Sequence, residues 1–325
     1  MKLVRRQFLH LAGAAVATPA LSSIARAQAY PARPVRIIVG YAAGSGLDVY
    51  ARLVAQWLSA KLGQNFVVEN RLGAGTNLAV ETLVNAPADG YTLLMASAAQ
   101  FTNATLYKNL SFDFIRDTVA VASVARGPFI IVVNPSFPAK TTAELIAYAK
   151  ANPGKITFGS SGTGTLSHVA GELFKSMAGI AMVHVPYRGE PPAITNLIAG
   201  QLDMSFTTAA GASEFVRSGK LRALAVTSAQ RLAAFPDVPA VAETLPGYDA
   251  TPWAGICAPK GTPAAIVAKL NVTINAGLAD PKLKAQFEKM GSPVAPMTPE
   301  QYGSAIVAQT DKWAKVIRAA HIELR

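Results

Sequence analysis

Eight short apolar or β-branched runs alternate with segments of helical periodicity, and this alternation restricts the chain to an α/β layer architecture. The runs are Val35 to Val39, Phe66 to Glu69, Tyr91 to Met95, Phe129 to Val133, Ile156 to Phe158, Met182 to Val185, Leu202 to Phe206 and Leu221 to Thr227. Continuous apolar runs of this length suit strands covered on both faces, so parallel sheets are expected. Between them, Leu47, Tyr50, Ala51, Val54, Leu58 and Leu62 recur at three or four residues and mark one buried helical stripe. Thr141 and Glu144 have capping-box spacing for a helix that stops at Asn152-Pro153-Gly154. Thr262-Pro263 and Thr298-Pro299-Glu300-Gln301 each place an N-cap and a first-turn proline, the second with Gln at N3. A length of 325 residues suggests about two domains at roughly 100–200 residues each.

Two strands run into glycine and serine just before a helix. In Val39-Gly40-Tyr41-Ala42-Ala43-Gly44-Ser45-Gly46-Leu47-Asp48, Ser45 and Asp48 have capping-box spacing. The amides around Ser45, Gly46 and Leu47 should therefore lie at a helix N-terminus, where unpaired N–H groups and the helix dipole favour an anion. An ordinary capped turn would carry the same residues. The second stretch is Phe158-Gly159-Ser160-Ser161-Gly162-Thr163-Gly164-Thr165-Leu166-Ser167-His168, leading into a helix to about Ala178. Thr165 stands where a phosphate loop requires Lys, and neither G-x-G-x-x-G nor its ribose-binding acid is present, which argues against nucleotides. A serine nucleophile at Ser45, Ser160 or Ser161 would need His168 as its base, and no G-x-S-x-G elbow supports it. His168 reads equally as a ligand donor or a satisfied histidine, and His184, within a strand, reads as structural. In open α/β sheets ligands sit beyond the carboxyl ends of strands. That draws in Ser97 and Gln100, then Tyr187 and Arg188, then Thr207 and Thr208. Arg188 suits a bidentate carboxylate clamp, and an inter-domain ion pair suits it equally.

The N-terminus reads as an export leader. Lys2, Arg5 and Arg6 precede an apolar stretch from about Phe8 to Leu21, and Ala25-Arg26-Ala27 provides small residues for cleavage before Gln28. Arg5-Arg6-Gln7-Phe8-Leu9 has the form of a twin-arginine signal. The leader takes four cations and no acid with it, so the formal charge of +11 falls to +7 in the mature chain. Those cations are dispersed rather than clustered, which fits attraction of small anions and not nucleic acid. The single Cys257 excludes an intramolecular disulfide, and the scattered His10, His168, His184 and His321 offer no metal-ligand spacing. Neither a metal nor a cofactor is expected.

Taken in order from about residue 30 to 325, these motifs resemble the Bug (TctC-type) family of periplasmic solute-binding receptors of tripartite tricarboxylate transporters. Tyr30-Pro31-Ala32-Arg33-Pro34-Val35 to Val39 is similar to the family's opening strand, and Tyr41 to Asp48 to its aromatic-Pro-x-Gly-Gly-x-x-Asp loop. Val68-Glu69-Asn70-Arg71-Leu72-Gly73-Ala74-Gly75, Pro87-Ala88-Asp89-Gly90-Tyr91-Thr92-Leu93, Gly159 to His168, Val185-Pro186-Tyr187-Arg188-Gly189 and Gly200-Gln201-Leu202-Asp203 follow in register. Arg231 to Pro239, Pro246-Gly247-Tyr248 and Ala258-Pro259-Lys260-Gly261-Thr262-Pro263 complete the pattern.

The resemblance implies a two-lobed type II periplasmic binding fold, or Venus flytrap. Its lobes would be residues 28–129 plus 254–325 and residues 130–253, with chain crossings near Phe129-Ile130-Ile131 and Trp253-Ala254-Gly255. It implies a small carboxylate in the cleft, one carboxylate being held by the first loop, and delivery to membrane permease subunits by a monomer that is not an enzyme. The resemblance carries over Gly44, Ser45 and Asp48, and with the turn and strand-end readings the candidate ligand positions are Gly44, Ser45, Gly46 and Asp48 in the first loop, then Ser97 and Gln100. In the second lobe they are Ser160, Ser161, Gly162, Thr163, Thr165, His168, Tyr187, Arg188, Asp203 and Thr207. The sequence departs from the family at Ala42, usually Pro, and at Ser45, usually the second Gly; Asp48 would orient the loop by capping without touching the ligand. A ligand-presenting sensor subunit would use the same fold.

Overall fold

The first apolar run forms strand β1 (Val35–Val39), whose Val35, Ile37, Ile38 and Val39 are fully buried, as a strand covered on both faces requires. The computed structural model describes residues 30–323, so the expected leader over residues 1–27 lies outside the described residues. From β1 the chain enters helix α1 (Gly46–Leu62), then β2 (Phe66–Asn70), α2 (Asn77–Val84), β3 (Thr92–Ala96) and α3 (Ala99–Leu106). A short α4 (Phe114–Asp117) precedes β4 (Thr118–Arg126). The next stretch holds β5 (Phe129–Val133), α5 (Thr142–Ala151), β6 (Thr157–Ser160), α6 (Leu166–Ala178), β7 (Val183–Pro186), α7 (Glu190–Ile198), β8 (Met204–Thr208), α8 (Ala209–Arg217) and β9 (Arg222–Val226). Strand β10 (Trp253–Pro259) and helices α9 (Ala264–Ala279), α10 (Pro281–Lys289) and α11 (Pro299–Ala319) complete the chain.

Two five-stranded sheets result, ordered β2-β1-β3-β10-β4 and β7-β6-β8-β5-β9. The chain passes from the first to the second between Arg126 and Phe129 and returns before Trp253. The fold is thus the two-lobed α/β architecture with two crossovers. The expectation of parallel sheets needs correction. Strands β1, β2 and β3 are parallel, as are β6, β7 and β8, but β10 runs antiparallel to β3 and β4, and β5 antiparallel to β8 and β9. The strand next to the parallel trio in each sheet adjoins a crossing between sheets, and apolar content carries no information about direction.

Side-chain caps open six of the eleven helices among the described residues. Thr298 accepts from the Gln301 amide at 3.2 Å while Gln301 accepts from the Thr298 amide at 3.0 Å, a complete capping box. At α5, Thr141 caps the Glu144 amide, but Glu144 reaches back to the Lys140 amide, one residue earlier than the motif predicts. Thr262 does not cap α9: the N-cap is Pro263, and the Thr262 hydroxyl donates to the Pro259 carbonyl instead.

The core is not divided cleanly between sheets. One apolar cluster joins Phe101 and Phe114, beside the first sheet, to Phe158, Phe174 and Phe206 of the second, with Tyr302, Ile306 and Trp313 of α11 among them. Nearby, the fully buried Tyr248 donates to the Ala170 carbonyl of α6 at 3.0 Å. Among the described residues no helix is long and apolar enough to cross a membrane.

Candidate binding site

Each Gly/Ser turn stands at the carboxyl end of a parallel strand, β1 or β6. In the first, Ser45 is the N-cap of α1 with extended backbone, and its hydroxyl accepts from the Asp48 amide at 3.4 Å. Gly44 has φ +81°, a conformation glycine adopts without steric cost. Asp48 is almost fully buried and saturated. It accepts from the Gly44 amide at 2.9 Å, from Arg52 at 2.8 and 3.0 Å, and from the Asn70 amide group at 2.9 Å. Burial alone would raise its pKa; Arg52, the Gly44 amide and Asn70 outweigh burial and hold it below the usual value. The carboxylate therefore shapes the turn. The Gly46 and Leu47 amides, in the first helical turn, have no protein acceptor among the described residues.

Ser97 and Gln100 follow β3 and bond mainly to each other. Gln100 Oε1 accepts from the Ser97 amide at 2.6 Å, and Gln100 Nε2 donates to the Thr76 hydroxyl at 2.8 Å. Tyr41 joins them, its hydroxyl 3.4 Å from that of Ser97. Thr76 was not anticipated from the sequence. It sits in a strained turn, with Ala74 at φ 46° and Thr76 at φ 81°, and a Cβ on Gly40 would fall 2.7 Å from Thr76 Cβ. The run Gly73-Ala74-Gly75 was the available signal for that turn.

The second turn is tied internally. Ser160 Oγ lies 2.6 Å from His184 Nε2, and accepts from the Gly162 amide at 3.1 Å. Ser161 donates its amide to the Ser167 hydroxyl, and Thr165 donates to the Gly162 carbonyl at 2.7 Å, while Thr163 is exposed. His168 Nδ1 accepts from the Gly164 amide at 3.1 Å and its Nε2 lies 3.7 Å from Glu172, so both ring nitrogens face protein groups. The two imidazoles stack at 3.6 Å with 10° between their planes. Burial, and then the His168 ring, push the His184 pKa from 6.5 down to about 3, leaving it neutral at pH 7. Ser160 thus pairs with His184 rather than His168. It is itself buried, and no carboxylate bonds to the other nitrogen of His184 among the described residues.

Tyr187 and Gly189 bind this turn through their amides, to the Ser160 and Ser161 carbonyls, while the Tyr187 hydroxyl accepts from Asn196 at 2.9 Å. Arg188 between them is exposed and makes no ion pair among the described residues. Thr207 is buried and Thr208 caps α8, and both meet the carboxylate of Glu190, a residue the sequence reading passed over. An acid in a first helical turn reads simply as a complement to the helix dipole, which is why nothing flagged it. Asp203 must be withdrawn from the candidate set. It precedes β8 and accepts from the Thr157 amide and hydroxyl at 2.7 and 2.8 Å, at the end of the strands away from the turns.

Contacts connect the two sides. The Tyr50 hydroxyl of α1 meets that of Ser292, and a Cβ on neighbouring Gly291 would lie 2.6 Å from Ala209 Cβ at the start of α8. A separate recess of about 520 Å³, walled by Lys175, Ser176, Lys315 and Val316, lies between α6 and α11 and shares no residue with either turn. Among the described residues no three His, Cys, Asp or Glu side chains gather as a metal site.

Four similarities accompany this geometry. The model of the family described as "Tripartite tricarboxylate transporter family receptor" matches residues 50–322. Protein BugT of Bordetella pertussis is 34% identical over 322 residues, covering 98% of this chain and 99% of that protein. Among solved structures, R. palustris Rpa4515 with adipate has a TM-score of 0.82 at 33% identity, covering 90% of this chain and 99% of that one. The periplasmic binding protein BugD has a TM-score of 0.78 at 33% identity, covering 91% and 100%.

Proposed function

The chain belongs to the tripartite tricarboxylate transporter receptor family, a family of periplasmic solute-binding proteins, and from that premise we propose that it captures a small organic acid between its lobes. The observation that carries the reading is the first turn of α1. There Asp48 is fully engaged by protein donors, while the Gly46 and Leu47 amides keep free N–H groups at a helix N-terminus. A ligand carboxylate would take those amides and the Ser45 hydroxyl, and groups beyond β6, β7 and β8 would meet its other end. Contacts to both lobes would give the closed form its higher affinity, without which a ligand cannot shift the equilibrium. Micromolar affinity corresponds to about 8 kcal/mol, within reach of a few charge-assisted hydrogen bonds at roughly 1.5–3 kcal/mol each.

The lobes in this proposal are residues 28–129 plus 254–325 and residues 130–253, and the exported, cleaved monomer would hand its ligand to membrane permease subunits without altering it chemically. The buried Ser160, held by Gly162 and a neutral His184, supports the non-catalytic reading. His168, with both nitrogens turned to protein groups, is left out of the ligand contacts.

A thermal-shift screen of organic acids followed by calorimetry tests the proposal. Ser45→Pro removes the capping hydroxyl and the Ser45 amide bond to Ala42. It should weaken binding of the best acid at least tenfold; unchanged affinity would take this turn out of the site.

A further inference from the structure

Glu190 opens α7 but bonds to the start of a different helix. Its Oε1 accepts from the Thr208 amide at 2.8 Å, the Thr208 hydroxyl at 3.0 Å and the Thr207 hydroxyl. Its Oε2 lies 3.1 Å from that same Thr208 hydroxyl, whose single proton serves only one oxygen at a time. A carboxylate offers about four lone-pair sites, so Oε2 retains acceptor capacity. Among the described residues no Lys, Arg or His nitrogen lies within ion-pair distance of it. The fit at Oε1 is close: a Cβ on Gly211, in the first turn of α8, would collide with it.

The position is part of the site described above. Gly189 donates its amide to Ser161, Thr208 ends β8, and Ala209 touches Gly291 beside the Ser292 hydroxyl that meets Tyr50 of α1. Two helix N-termini therefore stand in this region. At α1 the first-turn amides are free; at α8 the Glu190 carboxylate takes the amide and hydroxyl of the N-cap Thr208, while the Gly211 amide donates to that same hydroxyl.

We infer that Glu190 is a specificity-determining residue: its carboxylate stands beside the N-cap of α8 with acceptor capacity left on Oε2 and no cation beside it, so the end of the ligand that meets this lobe is a hydrogen-bond donor or a cation. This rests on the reading that the Ser45–Leu47 turn holds one ligand carboxylate. A second carboxylate at Glu190 would place two like charges together in a poorly solvated region, which disfavours ionisation of both. An ammonium or amide N–H would instead satisfy Oε2 and supply the missing counter-group. The ligand class is then a monocarboxylate whose far end carries an amine or amide, in contrast to the dicarboxylate adipate held by Rpa4515.

Calorimetry with matched pairs tests this. Glutarate and adipate are compared with 5-aminopentanoate, 6-aminohexanoate and the corresponding half-amides. At least one amino or amide member should bind the wild-type protein tenfold or more tightly than the dicarboxylate of the same length. Glu190→Gln, whose carbonyl can keep the Thr207 and Thr208 bonds, should shrink that ratio at least tenfold. Glu190→Ser, which vacates those donors, should bind the dicarboxylate more tightly than wild type does, and serves also if the Gln variant folds poorly. Equal or preferred dicarboxylate binding by wild type, or ratios unchanged in both variants, overturns the inference. If Ser45→Pro still abolishes binding in that case, the receptor reading stands while the role of Glu190 falls. Failure of every acid to bind wild type and variants alike overturns both.

Discussion

His184 and His168 stack ring on ring at 3.6 Å behind the second turn, and burial is the first cause of the His184 shift. The unfolded chain protonates His184 near 6.5, whereas the folded chain resists protonation until about pH 3. Below about pH 6.5 the unfolded state thus binds the extra proton, so stability falls as pH drops from 6.5 towards 3. Glu172 and Asp48, both held below the usual carboxylate range, also lose stability in acid, so only a comparison isolates the histidine. His184→Asn should flatten the decline of melting temperature between pH 6.5 and 4 relative to wild type. Parallel melting curves across that range would remove His184 as a source of acid sensitivity. At this scale the sequence was partly legible. Ser45, Gly44 and Asp48 were readable because a cap spans four residues. The Glu190 contact was not, because its partners are 17 and 18 residues away on another strand and helix.

Helix α11 shows what an element's own signals contribute. Its Thr298–Gln301 box satisfies two orphan amides, and its Tyr302, Ile306, Trp313 and Ile317 are buried in the core shared by both sheets. Thr298→Ala should cost about 1 kcal/mol, the usual worth of an N-cap. In urea the midpoint should move as a single transition, because α11 packs against groups of both lobes; loss of stability in one lobe alone would contradict that coupling. The strand pattern was legible for eight of the ten strands. The two missed, β4 and β10, are rich in Ala with Ser, Gly, Cys and Pro, residues of low strand propensity, yet both are buried almost throughout. Their burial comes from neighbouring strands and helices, and the Ala, Ser, Gly and Pro between Val119, Val121, Val124 and Ile256 break up any continuous β-branched run. Asp203 entered through the Gly200-Gln201-Leu202-Asp203 motif, and a motif does not say which end of the sheet it occupies; the structure puts it before β8, on Thr157.

On the scale of the molecule, Gly291 is the point where the α10–α11 connection meets α8. Its φ of +67° strains any substituent, and the added Cβ would lie 2.6 Å from that of Ala209. Gly291→Ala should therefore hold the lobes apart there, weakening binding of the best acid at least fivefold and enlarging the radius seen by small-angle X-ray scattering; unchanged values for both would show that this contact has no part in closure. From the sequence alone came the α/β class, the family resemblance and the caps of α1, α5 and α11, since periodicity, caps and glycine turns are written within a few neighbouring residues. Only the tertiary structure decided which strands run antiparallel, that His184 rather than His168 meets Ser160, and that Glu190 meets Thr207 and Thr208. Each of those outcomes depends on groups brought together by sheet pairing and lobe packing, and no local pattern of residues encodes which distant donor a buried charge will find.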